Sequence, residues 1–333
     1  MSLLAVEGLR VTLPSPAGEL QALRDVSFAL ERGNTVGLIG ESGCGKSMTA
    51  LALMGLLPEG ALASGSVRLD GRELIGLDDD AMAAIRGDRI AMVFQEPMTA
   101  LNPLHTIGSQ VAEPLRLHRG LAAHEARAEA LRLLERVHLP DAAHRLDAYP
   151  HQLSGGQRQR VGIAMALACG PDLLIADEPT TALDVTTQRE VLDLMAELVA
   201  AEGMALLLVS HDLGVMARST RRLLVMYAGQ VVEDGPTGDV FSTLAHPYTR
   251  ALFAARPRLG MPRGTRLATI PGRVPALSQL PAGCGFEPRC PWADEGCRRA
   301  VPDMATVGAA HAARCRRLDA VGSAQFVAAP EQA

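Results

Sequence analysis

The sequence is poor in lysine. Lys46 is the only lysine among 32 basic residues, and all the others are arginine. Aromatic residues make up 3% of the 333 residues, too few for the stacking platforms that bind single-stranded nucleic acid. With a formal net charge of −5, the chain also lacks the basic surplus that displaces counterions from a phosphate backbone. No apolar run approaches the roughly 18 residues that read as a membrane span. The opening MSLLAVEGLR has no basic segment leading into an apolar stretch, so no secretion signal is expected. A cytoplasmic location is expected, with any membrane role supplied by a partner.

What is present is apolar and patterned. Hydrophobic residues make up 48% of the chain, enough for a sizeable core in one large domain with an appendage. LLAVEGLRVTL and AGELQALRDVSFALERG alternate apolar and polar residues around a turn, the pattern of antiparallel strands. NTVGLIG reads as a buried strand that runs into a glycine-rich turn and the apolar helix SMTALALMGLLP. Helical patterns, notably HEARAEALRLLERVHL, dominate residues 106–150. Helix then alternates with the short apolar strands DLLIAD and MALLLVS, as in a parallel α/β sheet. From about residue 255 prolines recur at 257, 262, 271, 275 and 281, and four cysteines follow. A second, smaller module is expected there, then an alanine-rich tail over 319–333 that is a candidate for disorder.

The single lysine marks the first chemical site. An arginine-biased composition explains the other basic residues but not this exception; position 46 calls for a compact ammonium, not a planar fork. Residues 40–47 read GESGCGKS, the phosphate-binding pattern of a Walker A loop. Gly43 and Gly45 let backbone N–H groups turn toward phosphate oxygens with no Cβ in the way. The helix that follows offers the positive end of its dipole. Lys46 reaches the β- and γ-phosphates of ATP, and the Ser47 hydroxyl ligates Mg²⁺. Gly40, Ser42, Cys44 and Met48 complete the expected nucleotide contacts. The bland alternative, an ordinary glycine turn, is weakened by the strand before, the helix after and the lone lysine within. Cys44 reads as a small filler, although a helix N-terminus can lower a thiol pKa. On that ground alkylation is expected to block hydrolysis, with ATP protecting.

Further motifs narrow the class. LSGGQ occupies 153–157 and LLIADEP 173–179, Gln95 follows RIAMVF, ALD lies at 182–184, and SHD contains His211. In this order the sequence resembles ABC-type ATPases from about residue 3 to 250. The resemblance implies an α/β P-loop NTPase nucleotide-binding domain over 1–255, with a RecA-like core, an antiparallel β subdomain and a helical subdomain at about 97–160. It implies that Gln95 is the Q-loop glutamine, Ser154, Gly155, Gly156 and Gln157 the signature motif, Asp184 the D-loop acid and His211 the switch histidine. Asp177, ending an apolar strand, would hold Mg²⁺ with Ser47 and Gln95. Glu178 would be the general base that polarises the attacking water. Two acids after a strand also occur as a simple turn, and a lone SHD is more often structural, so His211 rests on the resemblance. Ser154 is placed to cap the helix GGQRQRVGIAMALA, leaving the Gly155 and Gly156 amides as a second anion site. In the family that site meets the γ-phosphate held by a second nucleotide domain. This chain has one set of motifs, so a second ABC ATPase subunit is expected, and the family suggests a paralogue. The family usually stacks an aromatic on adenine near the end of the first strand. Leu13 stands there in RVTLPSP, so weak discrimination between ATP and GTP is expected.

Cys284, Cys290, Cys297 and Cys315 have 5, 6 and 17 residues between them. Clustered thiols in a cytoplasmic protein suggest metal ligation and not disulfides. Zinc sites usually have closer pairs, and the spacing does not match common ferredoxin patterns either; a metal site and scattered core cysteines both stay open. HPYTRALFAARPRL, IPGRVPAL and GCGFEPRCPWA together resemble the C-terminal extension of dipeptide/oligopeptide permease ATPases. There the four cysteines are linked to a [4Fe–4S] cluster, which the resemblance implies for an extension over 256–318, with zinc as the alternative. It further implies import of short peptides with two transmembrane permease subunits and an extracytoplasmic substrate-binding protein, the ATPase lying peripherally on the cytoplasmic side of the inner membrane. Related systems carry nickel or glutathione, so cargo follows only by analogy. EPMTALNPLHTIGSQ, after Gln95, is expected to form part of the groove for a permease coupling helix, or else an ordinary surface loop. A soluble ABC ATPase of translation or DNA repair is the alternative of another class. Such proteins usually carry two nucleotide domains or a long coiled-coil insertion, and this chain shows neither. A cysteine finger for nucleic acid is disfavoured by the charge and the sparse aromatics.

Overall fold

The computed structural model describes residues 2–16, 18–95, 100–181, 183–256 and 269–323. Glu96 to Thr99, Ala182, the prolines at 257 and 262 and most of the expected tail lie outside the described residues. The described strands are β1 (Leu4–Ser15), β2 (Gly18–Leu30), β3 (Thr35–Ile39), β4 (Leu62–Leu69), β5 (Arg72–Glu73) and β6 (Ile90–Val93), then β7 (Leu173–Asp177), β8 (Ala205–Val209), β9 (Arg222–Tyr227), β10 (Gln230–Pro236), β11 (Ala305–Gly308) and β12 (His311–Ala313). They form two sheets.

The smaller sheet is antiparallel with order β2-β1-β4-β5. Its alternation is visible along β1, where Leu4, Val6, Leu9 and Val11 are buried while Glu7 and Arg10 are exposed. The register slips between Val6 and Leu9. Gly8 there has φ 59°, and a Cβ on the facing Gly65 would lie 2.4 Å from the Gly8 carbonyl oxygen. This bulge needs a glycine on both strands.

The larger sheet has order β11-β12-β10-β9-β3-β8-β7-β6, with parallel pairing from β9 to β6. Every residue of β7 and β8 is buried, as expected for uninterrupted apolar strands covered on both faces. The helices Lys46–Leu53, Gly155–Leu167 and Leu213–Ser219 pack on this sheet. A helical layer built from Ile107–Arg119 and Ala123–Arg136 leans on the helix Gly155–Leu167. Its contacts recur at helical spacing, with Ile107, Val111 and Leu115 on one helix and Ala126, Ala130, Leu133 and Leu134 on the other. The phosphate loop leaves the end of β3, the acid pair the end of β7, His211 the end of β8 and Gln95 the end of β6. In an open parallel sheet, ligands bind at these carboxyl ends.

The proline-rich C-terminal segment is joined to the domain more closely than a separate module would be. Its hairpin β11–β12 pairs with β10 and extends the main sheet at its edge. Beneath this seam Glu233 of β10 is fully buried. Its carboxylate is 2.8 Å from His311 Nε2 and accepts the backbone N–H groups of Ala245 and His246. Among the described residues no helix is long and apolar enough to cross a membrane.

Candidate nucleotide site

The chain leaves β3 at Ile39 and enters a helix at Lys46. At Gly40 (φ 156°) a Cβ would lie 2.2 Å from the Met226 carbonyl oxygen, so packing alone demands glycine there. Gly43 (φ 78°) has open space where its Cβ would be, on the side where a phosphate would approach. Gly45 (φ 107°) is the N-cap, with no side-chain cap and no acid in the first helical turn. The helix dipole and its first amides are therefore left for an anion. Lys46 is only 6% exposed, and its ammonium donates to the carbonyls of Gly40 (2.8 Å) and Glu41 (3.3 Å). Ser42, Ser47 and Met48 line the same cavity of about 290 Å³. Cys44 corrects the expectation of an activated thiol. Its side chain is fully buried, its sulfur packs inward 4.0 Å from Lys46 Nζ, and burial pushes its pKa up. Alkylation of the native protein is no longer expected there.

Asp177 closes β7 and is 5% exposed. The Ser47 side chain hydrogen-bonds its carboxylate, yet burial outweighs this and raises its pKa. Its Oδ1 is buried without a partner. An orphaned carboxylate oxygen beside a serine hydroxyl, at the foot of a phosphate loop, fits the hard-oxygen donor set of Mg²⁺. Glu178 follows with φ 45°, a left-handed conformation that non-glycine residues seldom adopt. Such strain clusters at functional sites. Its carboxylate gathers three partners: Gln95 Nε2 at 3.1 Å, Thr181 Oγ1 at 3.0 Å and His211 Nδ1 at 3.3 Å. Thr181 was not foreseen; a hydroxyl three residues after an acid in a turn was the only hint. Leu13, near the end of β1, lines the cavity, joined by Ala22 and Leu277, which the motifs do not mark.

The signature residues stand apart from this cavity's lining. Ser154 caps the helix Gly155–Leu167, accepting from the Gln157 backbone while Gln157 Oε1 accepts from the Ser154 N–H. A Cβ on Gly156 would come within 2.5 Å of Thr187, so the signature turn abuts the helix Val185–Glu202. Asp184 caps that helix through the Thr186 and Thr187 amides and the Thr187 hydroxyl, which hold its pKa down, the hydroxyl bond foremost.

The four C-terminal cysteines line one cavity, with His246 and Phe286. Burial raises all four thiols, Cys290 to about 12 and Cys315 to about 11. Backbone N–H groups of Trp292 and Arg317 reach the sulfurs of Cys290 and Cys315. The donor chemistry suits a soft metal centre, but the space does not, because the cavity holds about 10 Å³, roughly one water. Among the described residues no group of three or more His, Cys, Asp or Glu is arranged to hold a metal ion. The expected [4Fe–4S] cluster is therefore unsupported by the structure.

A parallel sheet with a lysine-bearing phosphate loop, an acid pair and a glutamine–histidine bracket defines a class, and comparison with known proteins agrees with it. Residues 23–181 match the family described as ABC transporter, and residues 232–297 match the C-terminal region of oligopeptide/dipeptide transporters. The chain belongs to the ATP-binding subunits of ABC transporters and is an ATPase of that family. A Brucella abortus protein assigned to peptide import as an ATP-binding protein is 51% identical over 327 residues, covering 95% of this chain and 97% of that one. The oligopeptide transport ATP-binding protein OppD of Salmonella typhimurium is 49% identical over 300 residues, covering 90% and 89%. Among solved structures, a dimeric ATP-binding cassette in a post-hydrolysis state with ADP and Pi is similar with TM-score 0.64 and 32% identity. It covers 70% of this chain and 98% of that one.

Proposed function

We propose that this ATPase powers peptide import, with Glu178 as the base in a nucleotide site completed by a second ATPase subunit. The observation behind the catalytic reading is the bracket on Glu178, where Gln95, Thr181 and His211 hold one carboxylate beside the loop that carries Lys46. The phosphate loop binds the nucleotide through its amides and Lys46. Ser47, Asp177 and Gln95 would hold Mg²⁺, which supplies charge neutralisation at the β- and γ-phosphates. Glu178 accepts a proton from the attacking water, and His211 and Gln95 keep its carboxylate in register. Ser154, Gly155, Gly156, Gln157 and Asp184 lie outside the cavity's lining, which suits residues that serve the site of a partner subunit. A dimeric relative with ADP and Pi bound supports the same reading.

Peptide cargo rests on the relatives named for peptide import and oligopeptide transport. With it come two permease subunits, an extracytoplasmic binding protein and a peripheral position on the cytoplasmic side of the membrane. Nickel or glutathione import would use the same motor. A [4Fe–4S] cluster on Cys284, Cys290, Cys297 and Cys315, or one zinc ion, is the finer cofactor reading. Its support is the donor chemistry alone, four thiols that converge with backbone N–H groups on two of the sulfurs, since the cavity between them is too small for the group as it stands.

Glu178→Gln tests the catalytic reading. Turnover should fall by about 10²–10⁴-fold while ATP and Mg²⁺ accumulate a closed dimer on a sizing column. Normal turnover in that variant refutes Glu178 as the base.

A further inference from the structure

One wall of the nucleotide cavity comes from far along the chain. Leu13 and Ala22 belong to β1 and β2, but Leu277 belongs to the short 3-10 turn Leu277–Gln279, which packs on β2. Leu13 and Leu277 are both half-buried against the same core as the phosphate-loop helix. The segment that delivers Leu277 is tied down by Arg289, whose side chain is 4% exposed. Its guanidinium donates to the carbonyls of Ile270 (3.2 Å) and Pro271 (2.8 Å), where this segment begins. The same group makes a bidentate pair with Glu41 at 2.6 and 3.1 Å, the second residue of GESGCGKS. It also donates to Tyr227 Oη at 3.3 Å, and the Glu41 N–H donates to Tyr248 Oη at 2.7 Å. One buried cation thus fastens both the cavity's C-terminal wall and the flank of the phosphate loop. Fork-to-carboxylate geometry fixes direction as well as distance.

We infer that residues 270–289 are part of the nucleotide site in cis, with Leu277 contacting the base and Arg289 acting as the positioning residue for Leu277 and the loop. This deepens the nucleotide-site reading and rests on it. The phosphate loop and Lys46 can grip only the triphosphate, so the base must be held by the remaining walls. Leu13 alone offers a single aliphatic surface. Leu277 supplies a second, and contact with both buries more of the flat base than contact with one. Neither side chain can hydrogen-bond a base edge, and an apolar wall discriminates weakly between purines that differ in polar substituents. The weak ATP/GTP discrimination expected from Leu13 therefore belongs to the pair.

The test uses the full chain, with ATP and with inorganic tripolyphosphate, which has no base. Leu277→Ala, which shortens a half-buried side chain, should weaken ATP binding about tenfold and leave tripolyphosphate binding unchanged. Arg289→Met should weaken both ligands, because the loop loses its tether as well as the wall. Arg289→Lys should recover only part, since an ammonium cannot bridge carboxylate and carbonyls as a fork does. Unaltered ATP binding in Leu277→Ala, or equal weakening of ATP and tripolyphosphate, overturns the inference. Lys46→Ala separates the two levels. If it fails to weaken ATP binding, the site reading itself falls; if it does weaken binding while Leu277→Ala has no effect, only the role of Leu277 falls.

Discussion

Asp177 shows at the scale of one residue how the site trades stability for chemistry. Its carboxylate is buried at the end of β7, one oxygen has no partner, and its pKa is raised chiefly by burial. A raised folded-state pKa means that this group favours the fold below its unfolded value near 3.9 and loses that contribution as pH rises through the folded one. At neutral pH the charged Asp177 therefore destabilises the ligand-free protein, and a bound divalent cation would relieve the cost. Asp177→Asn removes the charge in nearly the same shape. It should raise the melting temperature of the ligand-free protein by a few degrees, corresponding to about 1–3 kcal/mol, and abolish Mg²⁺-dependent hydrolysis. Thermal melts with and without Mg²⁺ check it; a lower melting temperature without Mg²⁺ would contradict this account. Glu178, one residue on, adds a strained backbone for the same functional reason.

At the scale of elements, the far ends of the strands are pinned where the near ends are left open for ligand. Asp172 precedes β7 and receives Arg32, which follows β2, and Arg89, which precedes β6. Both arginines also reach Asp70, in the turn between β4 and β5, at 3.1 and 3.4 Å. This network fastens the small sheet to the large one. Burial pushes the Asp172 carboxyl up, but the hydrogen bonds from Arg32 and Arg89 outweigh it and hold the pKa below the usual range. A lowered folded-state pKa contributes stability that is present above the unfolded value and lost as pH falls through the folded one. Asp172→Asn should therefore cost about 1 kcal/mol at pH 7, reduced by solvent screening. The difference from the native protein should vanish under strongly acid conditions, with kcat unchanged throughout. Urea midpoints across pH measure this, and a pH-independent difference would show that the charge is idle. The elements themselves were legible. Buried runs such as LLIAD and ALLLV have one reading once a phosphate loop precedes them. The Asp172 network was not, because its partners flank other strands and no periodicity records which strand ends meet; Thr181 bonds an acid only three residues back, and no motif singles out its hydroxyl.

The whole molecule is bound together by its C-terminal segment. Recurring prolines and a change of residue usage from 255 onward read as a second, smaller module, and composition does not record how such a module attaches. Here β12 continues the main sheet on β10, Arg289 holds the phosphate loop, and Leu277 lines the nucleotide cavity. Proline density reports only that the chain cannot form long elements there, and says nothing about what short ones pack against. The thiol cavity lies within this seam, next to residues that touch the site, since Cys290 follows Arg289 directly. Cys284 and Cys297 are further joined by a backbone bond of 2.8 Å from the Cys284 N–H to the Cys297 carbonyl. A metal centre on four buried thiolates would displace their protons and contribute its binding energy to folding. Were a [4Fe–4S] cluster held there, protein purified without oxygen would carry about four iron per chain with acid-labile sulfide, and Cys290→Ser would lower the iron and the melting temperature together. Colourless protein with one zinc, or with no metal at all, overturns the cluster. That outcome would leave the ATPase intact, because Lys46, Gln95, Asp177, Glu178 and His211 are placed by the strand ends of β3, β6, β7 and β8 and not by the cysteines.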